Sequence, residues 1–186
     1  MADVLNVTAG KPNIGGSLYR APLETDLPTS AAETLEEDFV ELGYASEDGV
    51  TNTNTPETET IRAWGGDVVL TVQSSKDDTF KVKLIEVLNE DVLAAVYGSA
   101  NVTGTLATGV TVNVNADEAE EASWVIDMIM RSGVKKRIVI PDAKITEIGD
   151  IVYADNEAVG YEITLTAMPD EDGNNHYEYL EQTASE

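Results

Sequence analysis

Apolar and polar residues alternate through much of the stretch from residue 39 to residue 98. Apolar side chains occupy alternate positions on both sides of a Gly65-Gly66 break, within residues 61–72, and again within residues 80–84. A period of two is typical of β-strands that bury one face. The stretch therefore predicts a long hairpin.

The period changes in residues 89–98. Asn89 is a helix-capping residue, acidic side chains follow it in the first turn, and Gly98 is a typical helix stop. The apolar residues between them recur about one helical turn apart, which predicts that one face packs against a sheet. We therefore expect one substantial α-helix in a chain that is otherwise rich in strands.

A second hairpin is predicted in the C-terminal half. Residues 124–130 and 134–140 carry strand patterns on either side of Ser132-Gly133, a turn sequence. Pro141 has no N–H to donate to a strand ladder, so we expect it to end the returning strand.

The remaining sequence completes a mainly β fold. The further predicted strands are residues 143–148, 150–153, 160–167 and a short one near Tyr177. About eight strands and one flanking helix indicate a β-sandwich or barrel. We assign residues 38–180 to this domain and expect residues 181–186 to fray.

Two polar segments do not fit the strand pattern. Residues 1–37 are rich in glycine, proline and polar residues and predict an extended N-terminal arm. Within it, Ser30 and Glu33 match a capping box and predict a short helix at residues 31–37. The run at residues 51–60 is too polar to pack alone. We interpret it as a mobile loop, with ordering by a partner as the alternative.

Charge narrows the classes of function. The chain has 186 residues, 35 of them acidic and 11 basic, and a formal charge of -24. Such a charge repels polyanions and argues against a surface that binds nucleic acid phosphates.

With no cysteine, there is no disulfide or thiolate. The sequence shows neither a signal peptide nor a long apolar run, so we expect a soluble protein made in the cytoplasm, with no membrane insertion.

No candidate for catalysis emerges. His176 is the only histidine and lies in a polar segment, and no GxSxG nucleophile motif is present. The acidic runs lack the spacing of a calcium loop. Trp64 and Trp124 both lie on predicted strands, where core or interface packing is expected, and we favour the core for Trp64. We therefore predict no catalytic, metal or cofactor site.

One basic cluster interrupts the acidic sequence. Lys135, Lys136 and Arg137 follow the turn of the second hairpin. They could contact phosphate, but in so acidic a chain we favour pairing with carboxylates of the same or a neighbouring subunit.

Four blocks in order resemble a known family. They are LGYASEDGVT at residues 42–51, IRAWGGDVV at 61–69, DDTFKVKLIEVLNEDVLAAVYG at 77–98 and GYEITLTAMPDEDG at 160–173. Together they resemble the major tail tube proteins of long-tailed bacteriophages with non-contractile tails, the siphophages. The resemblance covers most of the chain.

The resemblance implies a structural role in the virion tail. Members of this family form a β-sandwich with a flanking helix, and hexameric rings of the subunit stack into a tube that conducts DNA. The implied partners are further copies of the chain, the tape measure, tail-tip and tail terminator proteins, and DNA that passes without specific binding. No cofactor and no reaction are implied.

The resemblance also suggests contact residues. The N-terminal arm and the loop near residues 44–61 would reach a neighbouring subunit or the next ring, whereas the hairpin at residues 128–137 would line the channel or join the ring contact. The candidates for these contacts are Leu18, Tyr19, Glu47, Asp48, Thr51, Arg62, Lys135, Lys136 and Arg137.

The net charge gives a hypothesis for the channel. If many carboxylates line it, DNA meets no cations at which to dwell and slides through. Two other classes remain open at this point. One is the tube of a contractile tail, tailocin or secretion system, and the other is a β-sandwich module for capsid decoration or adhesion.

Overall fold

A computed structural model describes residues 2–13 and 17–182, and these residues form eleven strands and one α-helix. The strands are β1 Lys11–Pro12, β2 Leu18–Pro22, β3 Val40–Glu41, β4 Ala45–Arg62, β5 Val68–Leu84, β6 Val102–Thr105, β7 Gly109–Val112, β8 Glu121–Ile129, β9 Val134–Ile148, β10 Tyr161–Met168 and β11 Tyr177–Gln182. Helix α1 spans Glu90–Tyr97, and short 3-10 helices cover Val4–Asn6, Ser99–Asn101 and Arg131–Gly133.

Nine strands form one open antiparallel sheet. Its order is β3-β2-β8-β9-β10-β5-β4, with β1 added beside β8 and β11 added beside β9. Strands β6 and β7 form a separate two-stranded sheet. The prediction of a mainly β fold with one flanking helix is confirmed.

The core lies between one face of the sheet and helix α1. Strand β10 shows the cause, since Tyr161, Ile163, Leu165 and Ala167 alternate with partly exposed neighbours and are all buried. The predicted helix is confirmed, and it buries Val92, Leu93, Ala95 and Val96. Its predicted caps are also found, because the Asn89 side chain accepts a hydrogen bond from the Asp91 N–H and Gly98 adopts a φ of 90°.

A smaller apolar cluster covers the opposite face of the sheet at its N-terminal side. Ala21, Phe39, Val125 and Val139 are buried there, with Leu35 packed against them. The segment that leads from β2 to β3 therefore lies across the sheet and is fixed by apolar contacts.

The short helix predicted at residues 31–37 is wrong. The Glu33 N–H does donate to Ser30 Oγ, and the Glu33 carboxylate accepts from Thr29, so capping-type hydrogen bonds form without a helix. Arg137 supplies the reason. Its guanidinium donates to the backbone carbonyls of Ser30 and Glu33, at 3.2 and 2.7 Å. A tertiary contact thus takes the acceptors that a helix would use.

The predicted loop at residues 51–60 is also wrong, because these residues belong to β4. They pair with β5 along their whole length, with Thr53 opposite Thr79 and Thr55 opposite Asp77. Threonine is β-branched and suits an extended chain. Since both faces of this ribbon are exposed, its polar composition has no burial cost.

Three strand boundaries differ from the prediction. Strand β9 continues through Pro141, where the register with β8 shifts and the Ser123 hydroxyl donates to the Pro141 carbonyl at 2.7 Å. A bulge of this kind tolerates a residue that has no N–H. Residues 150–153 form no strand. Strand β11 includes Glu181 and Gln182, which we had assigned to a frayed tail, whereas residues 183–186 lie outside the described residues.

Candidate assembly interface

The ribbon of residues 51–77, here called the arm, is the most exposed part of the sheet. Every residue in it is exposed. Strand β10 pairs with β5 only in the range from Thr79 to Leu84, and β5 is the only neighbour of β4 in the described part of the chain. The arm is therefore a two-stranded ribbon with two open edges, a structure that is marginally stable alone in water.

The arm ends in an apolar tip. Ile61 lies opposite Leu70, and Glu59 lies opposite Val72. Ile61 is 51% exposed and Leu70 is 50% exposed. The turn at Gly65 and Gly66 uses φ values of 116° and 101°, which favour glycine over other residues.

Trp64 lies within the turn of the arm. The prediction that it packs in the core is wrong, since its relative exposure is 107%. Next to it, Arg62 donates through Nη1 to the carbonyl of Gly66 at 2.9 Å and so stiffens the turn. The turn of the arm thus carries a large exposed aromatic side chain, one cation and the exposed carboxylate of Asp67.

A buried polar cluster fixes the base of the arm. Asp78 is 1% exposed, and its two carboxylate oxygens accept from the Asn52 amide at 2.7 Å and contact His176 Nδ1 at 2.5 Å. The His176 ring meets Phe80 edge to face at 5.2 Å. The only histidine therefore ties the segment before β11 to the arm.

The basic cluster at the start of β9 is mostly paired within the chain. Arg137 is buried and forms a two-point ion pair with Asp127, with both contacts at 2.7 Å. Lys136 pairs with Glu178 at 2.8 Å. Lys135 lies opposite Glu181 of β11. Pairing with carboxylates of the same chain, one of the two alternatives, is thus found for Lys136 and Arg137.

The structure groups the other contact candidates into two grooves. Leu18, Glu47 and Asp48 border a groove of about 490 Å³ that Lys11 also lines, although Leu18 itself is 1% exposed. Tyr19 borders another groove, of about 330 Å³, together with the basic cluster of β9.

The remaining two candidates lie apart from these grooves. Thr51 lies opposite Lys81 in the sheet, and Arg62 lies at the arm tip. The candidates therefore form separate surfaces and not one site.

A second surface is the sheet face opposite the core, here called the uncovered face. It is formed by β5, β10 and the end of β9 and carries threonines, among them Thr146 and Thr166, whose hydroxyls lie 2.8 Å apart. Two of its lysines form ion pairs, Lys81 with Glu162 at 2.7 Å and Lys144 with Glu118 at 3.3 Å. The hydrogen bond that Lys81 donates to the Glu162 carboxylate raises the pKa of Lys81. The face is polar with balanced charges.

Glu120 links the N-terminal strands to the end of helix α1. Its carboxylate accepts hydrogen bonds from Ser99 and pairs with Arg20 at 2.8 Å. Partial burial alone would raise the pKa of Glu120, but the Ser99 and Arg20 contacts outweigh it and lower the pKa. The carboxylate is thus held in its charged form.

Within residues 2–13 and 17–182, no group of three or more His, Asp or Glu side chains is arranged to hold a metal ion. No helix in the same ranges has the length and apolar content needed to cross a membrane.

Taken together, the fold and the surface define a mainly β subunit that exposes an arm, open strand edges and a polar sheet face. The sequence matches the phage tail tube protein family over residues 7–186. The chain belongs to this family, and it is a structural component of a phage tail and not an enzyme.

Two solved structures resemble the chain at low identity. One comes from the sheath–tube complex of an extracellular contractile injection system, PVC, in the extended state, with 9% identity, a TM-score of 0.45, and coverage of 92% of this chain and 93% of that chain. The other is the tube-terminating cap of the anti-feeding prophage, with 13% identity, a TM-score of 0.44, and coverage of 97% and 100%. No curated protein matches the sequence.

Proposed function

We propose that this chain is the tail tube subunit of a siphophage and that hexameric rings of it stack into the tube. The arm is the observation that carries the proposal. A two-stranded ribbon with every residue exposed and both edges open gains stability when neighbouring copies cover it. Neighbours within a ring and between rings supply such cover.

The uncovered face is proposed to line the channel, because helix α1 and the core occupy the other side of the sheet. Its threonine hydroxyls are uncharged, and two of its lysines, Lys81 and Lys144, are paired with carboxylates. The chain as a whole carries a charge of -24, so the net charge of the tube is strongly negative. Phosphates are therefore not held by counterion release, and genomic DNA slides toward the host during ejection.

Charge also bears on when the tube forms. Six copies of the chain carry a summed charge of about -144, which opposes association at low salt. The subunit is made in the host cytoplasm and remains free until a tail-tip complex nucleates assembly. The tape measure protein then sets the length, and the terminator protein ends the tube.

Negative-stain electron microscopy of the purified protein tests this function. We expect hollow tubes or stacked rings at high concentration and high salt, where charge is screened, or at low salt once tail-tip complexes are added. Single subunits or discrete closed oligomers under all of these conditions, including with tail-tip complexes, would contradict the function and favour a decoration module.

A further inference from the structure

The sheet divides into two branches where strand β10 ends. Strand β5 pairs with β10 between Leu84 and Thr79, and on the far side of Thr79 the β4–β5 ribbon continues without β10 as the arm. The chain that leaves β10 turns away and pairs with β9 as β11. A polar cavity of about 390 Å³ lies between the two branches. Contacts across this cavity therefore bear on the direction in which the arm leaves the sheet.

A hydrogen bond from His176 joins the two branches. Asp78, at the base of the arm, is 1% exposed, and its Oδ2 lies 2.5 Å from His176 Nδ1. An ionised carboxylate only accepts hydrogen bonds, so His176 is the donor. The other oxygen, Oδ1, accepts from the Asn52 amide of β4 at 2.7 Å. Among the described residues, the bond from His176 is the only side-chain hydrogen bond that spans the cavity.

The segment that carries His176 is itself held in place. Asp170 accepts hydrogen bonds from the Asn174 N–H at 2.9 Å and from the Tyr177 hydroxyl at 2.6 Å. The bond from Tyr177 is the main cause that lowers the pKa of Asp170. Tyr177 is the first residue of β11, and the His176 ring contacts the buried Phe80 edge to face. The donor is thus fixed before any partner binds.

We propose that His176 is a positioning residue that fixes the direction of the arm by joining Asp78 across the cavity. The arm extends roughly 30 Å beyond Asp78 at the usual strand rise, so a tilt of about 10° at its base moves its tip by roughly 5 Å. An arm held in one direction loses less conformational freedom when a neighbouring copy covers it. This last step rests on the proposed function, whereas the direction of the arm is a property of the single subunit.

Substitutions of His176 separate its hydrogen bond from its ring packing. His176→Asn keeps an amide N–H close to the position of Nδ1 and loses the ring, whereas His176→Phe keeps a ring against Phe80 and loses the donor. His176→Ala loses both and lets water reach Asp78. Asn175→Ala is the matched control, because Asn175 lines the same cavity and its side chain forms no hydrogen bond with the described residues.

The absence of cysteine allows two spin labels to report the direction of the arm. Thr60→Cys lies near the arm tip and Glu147→Cys lies on β9, and both positions are exposed. Double electron–electron resonance on single subunits measures the distances between the labels. We expect a narrow distribution of distances with His176, with His176→Asn and with Asn175→Ala. We expect a broader distribution with His176→Phe and His176→Ala.

Two results would overturn the role of His176. One is a distribution that stays narrow in both variants that lack the donor. The other is a distribution that broadens as much in His176→Asn as in His176→Phe, since ring packing and not the hydrogen bond would then hold the arm. Circular dichroism should show wild-type strand content in each variant, because β5 keeps its pairing with β10. A loss of strand content in the donor-free variants alone would also contradict a role limited to the arm.

Assembly measures the consequence for the tube. The protein concentration needed for tube formation should rise by about tenfold in His176→Phe, because the arm must be ordered on association. It should stay unchanged in His176→Asn and Asn175→Ala. An unchanged threshold in His176→Phe, despite a broadened distribution, would show that the direction of the arm does not limit assembly. Failure of the wild-type protein to form tubes, even with tail-tip complexes, would reject the proposed function, while the label distances would still decide the role of His176.

Discussion

At the scale of single residues, a few buried polar groups decide how the chain packs. Arg137 is the main example, because it pairs with Asp127 and also holds the carbonyls of Ser30 and Glu33. It thereby joins β8, β9 and the segment that leads to β3. The sequence shows three adjacent cations, but it does not reveal that one of them is buried, since burial depends on strands that pair across the fold.

Removal of the partner of Arg137 should be costly. In Asp127→Ala, the guanidinium stays buried without its two-point ion pair, and we expect the free energy of unfolding to fall by about 3–5 kcal/mol. Urea denaturation followed by circular dichroism measures the change. Glu178→Ala is the matched control, because it removes the partly exposed pair with Lys136 and should cost less than about 1 kcal/mol. Equal losses for the two variants would contradict the role of Arg137.

Glu120 should make stability depend on pH. Its pKa is lowered in the folded protein, so the stabilisation is fully present above the pKa of an unfolded glutamate, about 4.3, and is lost as pH falls through the folded pKa. Since the side chain is 39% exposed, solvent screening limits the effect. Glu120→Gln should lower the free energy of unfolding by about 1 kcal/mol at pH 7. The difference from wild type should shrink as pH falls through the folded pKa of Glu120, and a difference that stays constant with pH would contradict the assignment.

At the scale of elements, the spacing of apolar residues predicted the strands and the helix correctly wherever one face of the element is buried. Strand β10, the second hairpin and helix α1 each follow their expected pattern, because burial imposes a strict period on the sequence. The prediction of a loop at residues 51–60 was wrong for the converse reason, because no face of the arm is buried. Threonine at positions 51, 53 and 55 already alternates with asparagine, and this period of two was the available signal.

The candidate interface was predicted only in part. The resemblance indicated contacts near residues 44–61, and Arg62 does lie at the arm tip. The exposure of Trp64 could not be predicted, because a tryptophan in a strand pattern is usually buried. Trp64 lies in a turn because strands β4 and β5 extend up to it. The polar run at residues 51–60 did not indicate strands of that length. The cluster of Asp78, His176 and Asn52 joins residues distant in sequence and leaves no local pattern.

The arm should change its protection from hydrogen exchange on assembly. In single subunits the amides of residues 53–77 should exchange much faster than those of β10, because a two-stranded ribbon opens easily. In tubes the same amides should become protected when neighbouring copies cover the open edges. Mass spectrometry of proteolytic fragments measures both states. An arm that exchanges equally fast in single subunits and in tubes would show that no copy covers it.

At the scale of the whole molecule, charge should govern how DNA passes. Glu118 and Glu162 each neutralise a lysine on the uncovered face. Replacement of both by lysine would create a basic cluster, repeated in every subunit, that retains phosphates by counterion release. We expect tubes to form and DNA ejection to slow, more so at low salt. The matched variant with glutamine at both positions should have a smaller effect, and unchanged ejection by the lysine variant would contradict a channel at this face.

A cryo-electron microscopy reconstruction of the assembled tube tests the central claim most directly. We predict stacked hexameric rings, with the uncovered face toward the channel, helix α1 outside, and each arm covered by neighbouring copies. Discrete oligomers that do not stack, or tubes in which helix α1 lines the channel and the arm tips point into solvent, would contradict this account.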